Sequence, residues 1–158
     1  MKYPLEFTLN GMAVEVYVKP TETLLDVLRE HLKIKSPKRG CDCGDCGACT
    51  VMINGEAMKS CIVLALTTQG KQVITIEGFM KDGELDPLQE AFYEKNAAQC
   101  GFCTSGMLVS AKSLLEKNPS PDKEEIMGTI SGNLCRCGSY VEIANAVASV
   151  AANATRKE

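Results

Sequence analysis

Eight of the chain's nine cysteines fall into two sets of four. The first comprises Cys41, Cys46 and Cys49, inside the run G-C-D-C-G-D-C-G-A-C-T, with Cys61 a little further on. The second comprises Cys100 and Cys103 in Q-C-G-F-C, with Cys135 and Cys137 in N-L-C-R-C. Four thiolates per set is the donor count of a tetrahedral metal ion or a small iron–sulfur cluster. Cys43 is left over.

The first set has the C-x4-C-x2-C…C spacing of a plant-type [2Fe–2S] site. Three ligands on one loop must point inward at a rhombic core, so the loop has to curl. Gly40, Gly44 and Gly47 permit that curl and a close approach of backbone N–H groups to sulfur. Cys43-x2-Cys46-x2-Cys49 also resembles the opening of a bacterial [4Fe–4S] motif, which next asks for a cysteine four residues on, followed by proline. Ile53 and Asn54 stand there instead, and Cys43 reads as a bystander thiol. The second set, C-x2-C then C-x-C, fits either an all-cysteine zinc site or a second [2Fe–2S] centre. Cys103 and Cys137 each precede an expected helix start, near Thr104 and Ser139, so two positive helix ends would face an anionic site of either kind.

The elements that must hold these loops differ between the halves. Leu5, Phe7 and Leu9 alternate, Asn10-Gly11 turns, and Val14, Val16 and Val18 alternate, which is a hairpin pattern. Leu24, Leu25, Leu28 and Leu32 recur at helical spacing, with Thr21 or Thr23 as N-cap. Thr50–Ile53, Asn54-Gly55 and the residues after Glu56 form a second hairpin, and Val73, Ile74 and Ile76 a closing strand. The second half is helical. Asp86 caps a helix from Pro87 to Asn96, and Met107, Leu108, Ala111, Leu114 and Leu115 form a stripe ending at Asn118-Pro119. Ser120-Pro121 opens a third helix that buries Ile126 and Ile130. Tyr140, Ile143, Ala144, Val147 and Val150 mark a fourth, and Ala151 to Glu158 should fray. The expected fold is therefore α+β, with a sheet domain at 1–78, a linker at 79–85 and a helical domain at 86–158.

Composition removes several classes. The net charge is −3, with lysines and acids interspersed, so nothing points to nucleic acid. The longest apolar run is the six residues Cys61 to Leu66, too short to span a bilayer. The N-terminus reads as a strand rather than a leader, which favours a reducing cytoplasm and cysteines as ligands rather than disulfides. His31, the one histidine, reads as a solvated cation near a helix C-terminus. Met107 reads as core, and the adjacent Glu124 and Glu125 lie on different helix faces. No triad, phosphate loop or substrate site is visible.

The three cysteine runs, G-C-D-C-G-D-C-G-A-C-T, Q-C-G-F-C-T and G-N-L-C-R-C, closely resemble the small iron–sulfur subunit of the molybdenum hydroxylases, the family of xanthine dehydrogenase, aldehyde oxidoreductase, carbon monoxide dehydrogenase and 4-hydroxybenzoyl-CoA reductase. The similarity runs in order along nearly the whole chain. It implies a ferredoxin-like β-grasp followed by a four-helix domain, each with one [2Fe–2S] cluster. Cys41, Cys46, Cys49 and Cys61 would hold the first, and Cys100, Cys103, Cys135 and Cys137 the second. It also implies a large partner subunit carrying molybdopterin, in its cytosine dinucleotide form, and a medium one carrying FAD, in a dimer of heterotrimers. Gln99 and Cys137 match the positions that contact the pterin. Electrons would pass from molybdenum through the second cluster and then the first to flavin, or the reverse. A free-standing two-cluster ferredoxin is the alternative, and a zinc or redox-sensing module a third reading.

Three positions depart from the family pattern. Cys43 is an extra thiol. Ser105 stands where the family usually has proline, which should loosen one turn. Gly138-Ser139-Tyr140 replaces the usual Thr-Gly-Tyr, and Ser139 could cap the final helix.

Overall fold

A computed structural model describes residues 1–154. Strands β1 (Tyr3–Leu9) and β2 (Met12–Val18) form the expected antiparallel hairpin. Asn10 and Gly11, with φ of 50° and 83°, supply the left-handed pair that a two-residue hairpin turn requires. Asn54 and Gly55 repeat the device between β3 (Thr50–Ile53) and β4 (Glu56–Lys59). A short β5 (Gln72–Ile74) runs parallel to β1 and antiparallel to β3, giving a five-stranded sheet of order β2-β1-β5-β3-β4. Ile76, expected in that strand, lies in a 3-10 turn over Ile76–Gly78.

The helix that crosses this sheet opens as one turn, α1 (Leu24–Asp26). Thr23 is its N-cap, and the Thr23 hydroxyl and Asp26 carboxylate satisfy each other's backbone N–H groups. The chain then widens into a π-helical stretch at Val27–His31. Leu24, Leu25, Val27 and Leu28 are all fully buried as a result. His31 is paired rather than free in solvent: its Nε2 lies 2.9 Å from Glu22 Oε1, and the side chain is 23% exposed.

The helices α2 (Pro87–Glu94), α3 (Thr104–Lys117), α4 (Lys123–Ile130) and α5 (Tyr140–Ala154) make the second half. Asp86 caps α2, as its position before proline suggests. The cap of α4 is Asp122 paired with Glu125, two residues beyond the Ser120 expected to open it. Each such cap stabilises its helix by about 1 kcal/mol. Helix α5 continues through Ala154 where fraying was expected at Ala151, and 155–158 lie outside the described residues.

Strand β3 decides how the halves meet. It is buried along its length, and its side chains alternate between two cores. Val51 and Ile53 join Leu5, Phe7, Leu24 and Leu28 on the α1 side. Met52 points the other way, into the helical core of Leu88, Met107, Ile130, Ile143 and Val147. Helix α3 lies across the outer face of β3, and Ser113 Oγ donates to the Gly55 carbonyl at 2.9 Å. No helix among the described residues is long and apolar enough to cross a membrane.

Candidate metal centres

The loop from Cys41 to Cys49 has no regular structure. It turns through positive φ at Asp42 (60°), Gly44 (85°) and Gly47 (71°). This curl aims backbone donors at one sulfur, since Cys41 Sγ accepts from the N–H groups of Asp45 and Cys46, both at 3.3 Å. The Cys46 and Cys43 backbone donors lead in holding the Cys41 thiol down to about 6. Cys49 and Cys61 are 2% and 6% exposed and pack with Leu25 of α1. Burial, then the neighbouring Cys49, pushes Cys61 up to about 12. A β-carbon at Gly40 would lie 2.7 Å from Cys46 Sγ, so glycine there keeps the sulfur's place clear.

In the second set, Cys103 is buried at the N-cap of α3, Cys135 is half-buried, and Cys100 and Cys137 are exposed. Burial, then the adjacent Cys135, pushes the Cys103 thiol up to about 12. Burial also acts to raise Cys135, but the backbone N–H groups of Ser139, Gly138 and Cys137, with Cys103, bring it below its ordinary value. Gly101 and Gly138, both at φ 81°, turn the two segments. Helix α5 begins at Tyr140, three residues after Cys137.

The donor chemistry fits two-iron cores. All nine cysteines are free thiols. Six of them interact as neighbours, Cys41 with Cys46, Cys49 with Cys61, and Cys103 with Cys135, and Cys43 also lies against Cys41. A two-iron core asks for two thiolates at each iron, four in all, which is the number in each set. Each set also combines a sulfur bonded by backbone N–H groups with a desolvated one. Cationic iron held there would relieve the cost of ionising the buried member, and the N–H groups would carry part of the negative charge.

The other residues that the sequence singles out lie around these two sets. The Gln99 Nε2 group donates to Ser139 Oγ at 3.0 Å. Ser139 is 1% exposed, and its hydroxyl serves Gln99 while its carbonyl accepts from the Ile143 N–H at 3.0 Å. Ser105 does not loosen its turn. Its hydroxyl donates to the Ser36 carbonyl at 2.6 Å and ties the start of α3 to the segment entering the first cysteine loop. Cys43 is exposed, with its thiol 3.3 Å from Asp45 Oδ2. Hydrogen bonding to Cys41, followed by Asp45, raises it to about 11.

The tertiary structure adds a seam between the two sets. The Leu134 N–H donates to the Cys46 carbonyl at 2.9 Å, joining the residue before Cys135 to a member of the first set. Asn133, 2% exposed, donates through Nδ2 to the Gly47 carbonyl at 2.9 Å and accepts the Ser110 hydroxyl at 2.8 Å. A β-carbon at Gly106 would lie 2.2 Å from Gly47 O, and one at Gly47 would lie 2.5 Å from Asn133 Nδ2. Phe102 lies over Gly40, at 3.5 Å from where its β-carbon would be. Asn133 and Gly106 were not singled out in the sequence. A glycine inside a helical stripe was the available signal for Gly106, and Asn133 offered none beyond its place before Leu134-Cys135.

Comparison with known proteins agrees with this geometry. A family described as a 2Fe-2S iron-sulfur cluster binding domain matches residues 7–73, and one described as a [2Fe-2S] binding domain matches residues 75–148. The chain is 47% identical over 146 residues to the nicotinate dehydrogenase small FeS subunit of Eubacterium barkeri, covering 92% of this chain and 93% of that one. It is 49% identical over 143 residues to the nicotine 6-hydroxylase small subunit of Paenarthrobacter nicotinovorans, covering 90% and 86%. Among solved structures, a chain of quinoline 2-oxidoreductase from Pseudomonas putida 86 superposes with a TM-score of 0.94 at 41% identity, covering 99% of this chain and 97% of that one. With two [2Fe–2S]-binding domains in series and a matching fold over its whole described length, this chain belongs to the family of small iron–sulfur, electron-transferring subunits of the molybdenum hydroxylases.

Proposed function

We propose that Cys41, Cys46, Cys49 and Cys61 hold one [2Fe–2S] cluster, and Cys100, Cys103, Cys135 and Cys137 the other, within an N-terminal domain at 1–78 and a helical domain at 86–158 joined by 79–85. Bound there, the two cores supply one-electron transfer between a molybdopterin centre, in its cytosine dinucleotide form, on a large partner chain and FAD on a medium one, in a dimer of heterotrimers. The observation that carries this reading is the Leu134 N–H bonded to the Cys46 carbonyl at 2.9 Å, which brings the backbones of the two sets into direct contact. The chain's own groups have separate tasks. The backbone N–H groups of Asp45 and Cys46 hold the Cys41 sulfur. Leu25 keeps water from Cys49 and Cys61. Cys137 and Cys100, both exposed, face the molybdopterin chain, and Gln99 contacts the pterin beside them. The loop bearing Cys41 faces the flavin chain.

The substrate is bound elsewhere in the complex. The relatives named for nicotinate, nicotine and quinoline share a pyridine ring, so nitrogen heteroaromatics are the class to assay first. Free thiols in ligand sets fit a reducing cytoplasm.

Purified holo protein is expected to hold about four irons per chain and give two distinguishable [2Fe–2S] signals by electron paramagnetic resonance. It should co-elute with flavin- and molybdopterin-bearing chains. Stoichiometric zinc, or one signal, overturns the cluster assignment, and a chain that always purifies alone supports the free ferredoxin instead. Cys43→Ser should leave iron content and both signals as they were. Loss of the first signal in that variant would put Cys43 among the ligands.

A further inference from the structure

Three consecutive backbone donors run into the C-x-C turn, and all three are committed. The Asn133 N–H goes to Ile130 O at 3.0 Å, the Leu134 N–H to Cys46 O at 2.9 Å, and the Cys135 N–H to the phenol oxygen of Tyr140 at 2.8 Å. The last is the unusual one, because a side chain five residues ahead reaches back to accept it. The Gly138 N–H closes the same turn onto the Cys135 carbonyl at 3.2 Å. Cys135 and Cys137 are therefore held in a small ring that ends at Tyr140. The Tyr140 ring is half-buried against the helical core, so packing fixes its hydroxyl in place.

This bond decides where one backbone donor of the turn goes. The N–H of Cys135, which lies beside the thiols of the C-x-C turn, is committed to the phenol oxygen. Hydrogen bonds to the sulfurs are among the main controls on the reduction potential of an iron–sulfur cluster, because each stabilises the extra negative charge of the reduced form. We propose that Tyr140 is a positioning residue for the second cluster: by accepting the Cys135 N–H it fixes the C-x-C turn, withholds one donor from the sulfurs and holds that cluster's potential down.

The proposal rests on the assignment of Cys135 to a [2Fe–2S] cluster. Its test is a redox titration of the holo protein, with co-eluting chains retained, followed by electron paramagnetic resonance. Tyr140→Phe keeps the packed ring and deletes only the acceptor. The expected result is unchanged iron content, an altered line shape and an upward midpoint shift for the second signal, with the first signal unmoved. A tenfold change in the reduced-to-oxidised ratio at fixed potential corresponds to about 59 mV for one electron. The proposal is overturned if the second midpoint stays put or falls, or if both signals move together. Should Tyr140→Phe fail to hold iron, 3-fluorotyrosine at position 140 keeps a hydroxyl but weakens its oxygen as an acceptor. It must then raise the second midpoint alone, or the proposal fails. Failure of the ligand assignment would look different, since the unaltered protein would then lack the second signal.

Discussion

Gly106→Ala is expected to destabilise the chain and loosen the magnetic contact between the two clusters without removing either. Two effects compete. Alanine is the better residue in a helix interior by about 1 kcal/mol, and Gly106 lies within α3. Against that, the new methyl would meet the backbone oxygen of Gly47 at 2.2 Å. A backbone atom cannot swing aside as a side-chain tip can, so α3 and the first cysteine loop must move apart. Overpacking of this kind costs up to about 3 kcal/mol, occasionally more, so the net loss is about 2 kcal/mol. Denaturant unfolding of the holo protein measures it. Gly128→Ala is the control, because Gly128 lies in α4 with nothing within 4 Å of its would-be β-carbon. That variant should gain up to about 1 kcal/mol from propensity. Both irons of each cluster should persist in Gly106→Ala, while spin–spin broadening between the two signals weakens. Equal stability changes in the two variants would show that the Gly47–Gly106 contact does not hold the halves together.

Cys61→Ala is expected to abolish the first cluster and spare the second. Cys61 is 6% exposed and packs with Leu25 and Cys49, away from the second set. Its removal leaves three thiolates of the proposed set for a core that needs four, and Cys43, the thiol left over in that loop, is exposed while Cys61 is buried. Iron should fall from about four to about two per chain, with loss of one paramagnetic signal. Electrons should still enter the remaining cluster, but flavin reduction should stop. Because ligation contributes folding free energy, the N-terminal half should also unfold at lower denaturant concentration than the helical half. Retention of both signals would remove Cys61 from the ligand set.

Much of the molecule was legible from local pattern. Asn10-Gly11 and Asn54-Gly55 between alternating runs fix two hairpins because only a left-handed pair matches the twist of paired strands. Asp86-Pro87 marks a helix start because proline needs no N–H partner there. Places where the pattern misled share a cause. Ile76 continues an apolar run, but β5 ends at Ile74 and a 3-10 turn takes over. His31 looked solvated until the fold placed Glu22, nine residues away, beside it. Ser139 and Ser105 were read as local caps or turn residues, yet their hydroxyls meet residues 40 and 69 positions distant. A short polar side chain announces that it will hydrogen-bond, not with whom.

By itself the sequence determined which atoms could bind metal, how many, and in which order the sheet and helical halves follow. Thiolate count and spacing are local facts, and a loop of C-x4-C-x2-C carries its ligand geometry within itself. The tertiary structure decided how the two sets relate. Burial of β3 on both faces, the Gly47–Gly106 approach and the Leu134–Cys46 hydrogen bond all join residues far apart in the chain. Contact between two sets held on separate elements depends on packing that no single stretch of sequence encodes. Whether eight cysteines form one electron path or two isolated sites is therefore a property of the folded chain.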